Sequence, residues 1–241
     1  MKFAIDKHHR DFFQKNGFIE LEILSSGQIA QWNQTIDQIL ERQSALPNQK
    51  HAQLTTDQIF SKGRDLWRSD EKLRTLTIQP RLAELVSELI EKKPVRLGYT
   101  QFFSQYTPTP SLVDQKPSPY RNFLQQKTNL ETISCVDNIL CGLMLSLSNA
   151  KELLDVEAPQ EDDVDIFSTC AGNAILFRPD AIINLEHFFK HPDQRYYLIV
   201  YTENTSYYYP QPKDPLGHAL KHIGYIFNDK LSDKLNPIVY R

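Results

Sequence analysis

The chain has 241 residues, 40% of them hydrophobic and 24% charged, and a formal net charge of −3. This composition fits an ordinary soluble globular protein, leaves no basic footprint for nucleic acid, and contains no apolar run near the roughly 18 residues that a membrane span needs. The opening MKFAIDKHHRDFF lacks the apolar segment of a secretory signal, so the expected compartment is the cytoplasm, and this length is expected to form one domain.

Residues 6–16 read as a short helix with Phe12 and Phe13 turned inward and Gly17 closing it in a left-handed cap; residues 18–22 then alternate as a strand. Ser25 or Ser26 caps a second helix, in which Ile29, Trp32, Ile36, Ile39 and Leu40 recur at helical spacing. Residues 45–61 are polar and aperiodic, so a surface loop is expected. Two packing helices follow, GRDLWRSDEKLRTLTIQP and PRLAELVSELIEKKP, the second opened by Pro80 with Leu82, Leu85, Val86, Leu89 and Ile90 on one face. Arg64, Trp67 and Arg68 read as surface packing, with an anion cradle as the alternative.

Residues 95–106 alternate as a strand, with Val95, Leu97, Tyr99, Gln101 and Phe103 assigned to one face and Arg96, Gly98, Thr100, Phe102 and Ser104 to the other. Residues 107–120 hold four prolines and are expected to be an extended loop or lid. Residues 130–148 resume strand character, and ILCGLMLSLS, apolar on both faces, is expected at the centre of a sheet. Residues 151–165 form an acidic solvated loop in this reading. The runs 173–177 and 196–201, bounded by Gly172, Pro179 and Pro192, are expected to be a hairpin around a loop holding His187, His191 and Arg195. Asp214 and Pro215 then open a helix through His222 that Gly224 ends, 228–235 form a last short helix, and 237–241 are extended.

Cys135, Cys141 and Cys170 show neither CxxC nor zinc spacing, and are read as buried, reduced, inert thiols. On a common strand, Cys135 and Cys141 would lie roughly 20 Å apart, too far for a disulfide. Neither GxSxG, GxxxxGK[ST] nor GxGxxG occurs. His218 and His222 share a helix face without an HExxH glutamate, and His187 and His191 are separated from helical geometry by Pro192, so neither pair is read as a metal site.

Two separated patterns carry a resemblance. Asp11, Phe12, Phe13, Gly17, Phe18, Ile19, Leu21, Leu24, Ser25 and Ile29 follow the opening pattern of phytanoyl-CoA dioxygenase-like Fe(II)/2-oxoglutarate oxygenases, and Gly172, Phe177, Arg195, Tyr197, Ile199 and Tyr201 resemble the end of their double-stranded β-helix. The resemblance implies an α+β fold, a double-stranded β-helix (jelly-roll, cupin-like) core over 94–210, with helices 1–93 packed on it and a helical trim 211–241. It also implies iron held by a His-x-Asp or His-x-Glu pair and a later histidine, with an arginine on the far carboxylate of 2-oxoglutarate. Here no histidine lies between His51 and His187, so the pair is missing. Strict spacing puts Asn184, not His187, at the second histidine, and Arg195 at the arginine.

The reading that follows is a degenerate member with no catalytic residue, no metal site and no cofactor. Its expected ligand is a small carboxylate or phosphate held by Arg195 with His187 and Asn184, or else it binds a protein partner; nucleic acid and membrane are excluded. The first alternative is a working oxygenase with an atypical metal set, for which Fe(II) and 2-oxoglutarate would be the cofactors; the second, disfavoured, is a metal-dependent transcriptional regulator. Arg195 shares strand parity with Tyr197, Ile199 and Tyr201, so its pocket role requires that face to line the barrel. Pairing with Asp193 or Glu203 is the structural alternative.

Overall fold

In the computed structural model, residues 4–43, 54–104, 120–149, 168, 170–189 and 194–241 are described. α1 (Lys7–Asn16) starts where the Asp6 carboxylate accepts the His9 N–H at 2.9 Å, and stops at Gly17, whose φ of 78° admits a left-handed cap. Only Phe13 of its aromatic pair is buried; Phe12 is 42% exposed, against the expectation that both face inward. β1 (Phe18–Glu22) leads to α2 (Ser26–Gln43), which buries Trp32, Ile36, Ile39 and Leu40.

The expected loop over 45–61 is overturned at its end. α3 (Thr56–Lys62) forms there because Thr55 and Gln58 cap each other's backbone reciprocally, a signature that polar composition masked. α4 (Glu71–Thr77), capped by Asp70, and α5 (Pro80–Ile90) complete the helical layer. Among the described residues, no helix is long and apolar enough to cross a membrane.

The remaining elements are β2 (Val95–Ser104), α6 (Arg121–Leu124), β3 (Lys127–Thr128), α7 (Leu130–Ile133), β4 (Ile139–Ser146), β5 (Asn173–Phe177), β6 (Ile183–Asn184), β7 (Arg195–Glu203) and β8 (Ile238–Tyr240). An antiparallel six-stranded sheet runs β1-β5-β4-β7-β2-β8, and β3 pairs with β6 in a second sheet. β5 and β7 are therefore not a hairpin: β4 lies between them, and β6 crosses to the second sheet on the way. This curled pair of sheets with helices on one side is the expected α+β, cupin-like jelly roll. The lid expected over 107–120, apart from Tyr120, and the acidic loop over 151–165 lie outside the described residues.

The large sheet separates two cores. Its outer face, with Leu143, Leu145, Leu176, Tyr197, Ile199 and Tyr201, packs on the helices, where Trp32 meets Tyr197 at 4.9 Å between ring centres. Its inner face, with Met144, Ile175, Phe177, Tyr196, Leu198 and Val200, packs on the second sheet and the segments around it. The simple alternation expected for β2 fails because the register against β7 slips between Leu97 and Tyr99, a bulge at Gly98. Leu97 thus lies outward, yet Tyr99 and Phe103 lie inward while Phe102 lies outward. A Cβ on Gly98 would meet Thr202 Cγ2 at 2.8 Å, which keeps the bulge glycine.

Two C-terminal helices are also overturned. Tyr208 Oη donates to the Gly217 carbonyl at 2.6 Å and Asp214 is drawn inward, so 214–222 turns irregularly before a 3-10 helix, Ala219–Ile223. Residues 228–235 pair their backbone with 206–208 instead: Tyr208 N–H donates to Asp229 and Leu231 N–H to Ser206. Asn236 then donates to the carbonyls of Leu97 and Gly98 opened by the bulge, and the tail becomes the edge strand β8.

Gly142 is the tightest contact of the inner core, since a Cβ there would lie 2.7 Å from Phe177 Cε2 and 2.8 Å from Leu130 Cδ1. Gly142→Ala is expected to destabilise the protein by about 1–3 kcal/mol, read as a lower urea midpoint. Gly27→Ala, which meets nothing within 4 Å in the first turn of α2, is expected to be neutral or to stabilise by up to about 1 kcal/mol.

Candidate functional site

The inner face of the large sheet is where a site would be built, and it carries two chemically different groups. In one the rings are closely packed: Phe103 stacks on Phe188 at 5.3 Å, Phe188 meets Tyr196 edge-on at 4.9 Å, and Phe60 contacts Tyr120 and Phe123 at 5.1 and 5.6 Å. The other is a buried ion pair, joined to the first by Gln101, which donates to the Phe60 carbonyl at 2.8 Å. Arg64 donates through Nη2 and Nη1 to the Asp214 carboxylate at 3.0 and 3.3 Å, and through Nε to Gln101 Oε1 at 3.0 Å. Its guanidinium lies 4.3 Å from the centre of the Tyr99 ring, and Tyr99 Oη meets Ser134 Oγ at 2.7 Å.

Burial opposes the charge on Arg64, but the neighbouring Asp214 outweighs it and raises the pKa, so the guanidinium stays charged. Burial pushes the Tyr99 hydroxyl up, and pushes the Cys135 thiol up to about 12 despite the nearby Arg64. Cys141, on the outer face, is pushed to about 12 by burial as well. These thiols are inert by environment. Cys170 is exposed, which corrects the expectation that all three are buried; none forms a disulfide.

Arg195 lies on the face that carries Tyr197, Ile199 and Tyr201, as parity requires, but that face is the helix-facing one. Its Nη2 meets Asp37 Oδ1 of α2 at 2.5 Å, and its guanidinium lies 5.3 Å from the centre of the Phe102 ring. Arg195 therefore does not point into the barrel, the condition on which its pocket role rests; the acid shown pairing with it is Asp37 rather than Glu203, and Asp193 lies outside the described residues. Asn184 stands on the second sheet opposite Lys127, where its side-chain oxygen accepts the Glu186 N–H at 3.2 Å and caps the 3-10 helix Leu185–Phe189. His187 belongs to that 3-10 helix; its side chain lies outside the described residues. The structure does not gather Arg195 and Asn184 into one site.

The anion cradle suggested by Arg64, Trp67 and Arg68 is likewise taken up internally. Arg68 donates to Asp65 at 3.0 Å and lies over the Trp67 ring, while Arg64 turns to Asp214. The pairing of Arg64 with Asp214 had no signal in the sequence, where Asp214 reads as a helix cap.

No protein-family model matches the sequence, and no curated protein matches it. Among solved structures, the chain is similar to SnoN, a non-heme alpha-ketoglutarate-dependent epimerase from nogalamycin biosynthesis, with TM-score 0.64 and 12% identity over 98% of each chain. It is similar to the carbocyclase SnoK of the same biosynthesis, with TM-score 0.63 and 13% identity over 97% of this chain and 96% of that one. CytC3, solved with Fe(II) and alpha-ketoglutarate, aligns at TM-score 0.56 and 14% identity over 87% of this chain and 82% of its own. The fold is that of the 2-oxoglutarate-dependent oxygenases.

An Fe(II) triad in a 2-oxoglutarate-oxygenase fold requires two imidazoles and a carboxylate facing one space. The inward residues Tyr99, Gln101 and Phe103 of β2, Gly142, Met144 and Ser146 of β4, Ile175 and Phe177 of β5, and Tyr196, Leu198 and Val200 of β7 supply neither. Asp214 is a carboxylate near this space, and Arg64 engages both of its oxygens. Among the described residues no three His, Cys, Asp or Glu side chains gather as metal ligands.

Arg64→Met is expected to cost about 3–5 kcal/mol by leaving Asp214 charged and unpaired, while Arg64→Met with Asp214→Leu recovers most of that loss in guanidinium denaturation. The thiols give a second test. A disulfide reagent at pH 8 should titrate Cys170 alone in the native protein and all three after unfolding. The folded pKa values of Cys135 and Cys141, about 12, lie above the unfolded value near 8.5, so their contribution is complete below about pH 8.5 and is lost as pH rises towards 12. The urea midpoint is therefore expected to fall progressively above about pH 8.5.

Proposed function

We propose that this chain is a non-catalytic binding protein that retains the 2-oxoglutarate-oxygenase fold without its iron chemistry. The observation that carries the reading is the inward face of β2, β4, β5 and β7, which presents apolar, hydroxyl and amide side chains where a metal would need imidazole and carboxylate. The empty interval between His51 and His187 supports it from the sequence. Asn184, at the strict spacing of the second histidine in the phytanoyl-CoA dioxygenase-like pattern, spends its side-chain oxygen on a turn.

The expected anchor for an exogenous carboxylate, Arg195, is also answered from within. Asp37 supplies an internal carboxylate to its guanidinium, so a small dicarboxylate gains no unpaired charge there. This shifts the proposed ligand from an anion towards an uncharged molecule or a protein partner.

After anaerobic Fe(II) reconstitution, the purified protein is expected to hold no stoichiometric iron and to show no 2-oxoglutarate-dependent oxygen uptake. Stoichiometric iron that is lost in His187→Ala would overturn the proposal and establish an oxygenase with an atypical ligand set. For Arg195, thermal shifts with 2-oxoglutarate, succinate and phosphate are expected to be equal in wild type and Arg195→Ala. The variant itself should lose about 1–2 kcal/mol with the partly exposed Asp37 pair. A dicarboxylate shift present only in wild type would restore Arg195 as a ligand anchor.

A further inference from the structure

Residues 211–241 carry five lysine and arginine residues against three aspartates, in a chain whose formal net charge is −3. The three carboxylates are answered from within: Asp214 pairs with Arg64, Asp233 accepts from Arg96 at 2.6 Å, and Asp229 accepts the Ile226 N–H at 2.8 Å. Lys213, Lys221, Lys230 and Lys234 are exposed, and among the described residues none of them makes an ion pair. The same segment presents Ile226, which is 69% exposed, more than any other large hydrophobic side chain among the described residues.

Ile226 opens a closed turn. Its N–H is held by the Asp229 carboxylate, the Asp229 N–H donates to its carbonyl at 3.1 Å, and Asn228 takes a left-handed φ of 74°. Behind the turn, the Asn228 N–H donates to the Tyr208 carbonyl at 2.6 Å, and the Phe227 ring lies 4.8 Å from that of Tyr208. The apolar side chain is therefore held outward by a fixed backbone, so a partner need not order it. Cations flank it. Lys221 Nζ lies 4.0 Å from the centre of the Phe227 ring, the His218 ring lies 5.7 Å from the same ring, and Lys230 follows the turn directly, opposite the 43% exposed Tyr207. The acid of a neighbouring element, Asp137, accepts the Tyr207 N–H at 2.6 Å.

We infer that the turn 226–229, with Lys221 and Lys230, is a peripheral contact for an anionic lipid surface. In the headgroup layer an aliphatic side chain reaches hydrocarbon while ammonium groups meet lipid phosphate. A nucleic acid would satisfy the lysines but offer the isoleucine a charged sugar-phosphate surface. The lack of a spanning helix among the described residues bears on insertion across a bilayer, and a surface contact needs none. This contact stands apart from the non-catalytic reading, which concerns the inner face of the sheet.

The test is co-sedimentation of the full chain with vesicles of phosphatidylcholine alone and of phosphatidylcholine containing phosphatidylserine, at low and physiological salt. Binding is expected only with phosphatidylserine, and is expected to weaken with salt. Lys221→Gln and Lys230→Gln should each weaken it about fivefold, and Ile226→Ser by at least about fivefold, with melting temperatures unchanged. Both native tryptophans, Trp32 and Trp67, are buried, so Ile226→Trp adds an exposed reporter. Its emission should move to shorter wavelength with phosphatidylserine vesicles and stay fixed with phosphatidylcholine. No sedimentation with phosphatidylserine at low salt, equal binding to both vesicles, or an unshifted reporter would overturn the inference. Binding that Ile226→Ser leaves intact, together with retention of single-stranded RNA, would assign the lysines to nucleic acid and overturn it as well.

Discussion

The period-two alternation of β7 is the constraint on which the rest of the molecule depends. One strand serves two cores, sending Tyr197, Ile199 and Tyr201 to the helices and Tyr196, Leu198 and Val200 to the space between the sheets. Because adjacent residues face opposite ways, a shift of one position would exchange the two sets. Arg195 and Gln194 divide on the same rule. The arginine reaches α2 and the amide is left inside, so the polar group offered to the inner space is neutral. The bulge at Gly98 does the corresponding work on β2, turning Tyr99 inward and opening two carbonyls that Asn236 fills.

Arginine pairs fasten segments far apart in sequence around that strand. Arg195 holds α2 through Asp37, Arg64 holds the segment after β7 through Asp214, and Arg96 binds Asp233, Asn204 and the Asn236 carbonyl of the tail. Burying an ion pair stabilises little relative to a well-packed apolar substitute, but removing one partner is costly. Arg64–Asp214 is the extreme case, with side chains 7% and 0% exposed. Its effect is to fix where the C-terminal segment crosses the inner space more than to deepen the native minimum.

The helical opening and the strand cores were legible because their signals are local: the Gly17 cap, the helical spacing from Trp32 to Leu40, and the apolar run of β4 between its neighbours. What failed was set at longer range. The run 214–222 carries a cap-and-proline opening, yet Arg64 and Tyr208 recruit Asp214 and the Gly217 carbonyl from elsewhere in the chain. β5 and β7 read as a hairpin because they are consecutive long strands, and only the pairing of β4 with both shows otherwise. For Arg195 the parity was right and the face wrong, since alternation says which residues travel together but not which side encloses a cavity. α3 hides behind the polar composition of residues 45–61, although Thr55 and Gln58 mark its start as a capping pair.

The electrostatics of the inner space bear directly on what can enter it. A dicarboxylate leaving water must find cations that are not already spoken for, or bear a desolvation cost of several kcal/mol per charge. Arg64 is held bidentately by Asp214, and Arg195 pairs with Asp37 on the helix-facing side of the sheet. To bind 2-oxoglutarate through either arginine, the ligand would have to displace a carboxylate already in place, exchanging one ion pair for another with little net gain. A neutral ligand faces no such exchange. The same strand alternation that takes the charge of Arg195 out of the inner space thus sets the polarity of what remains there.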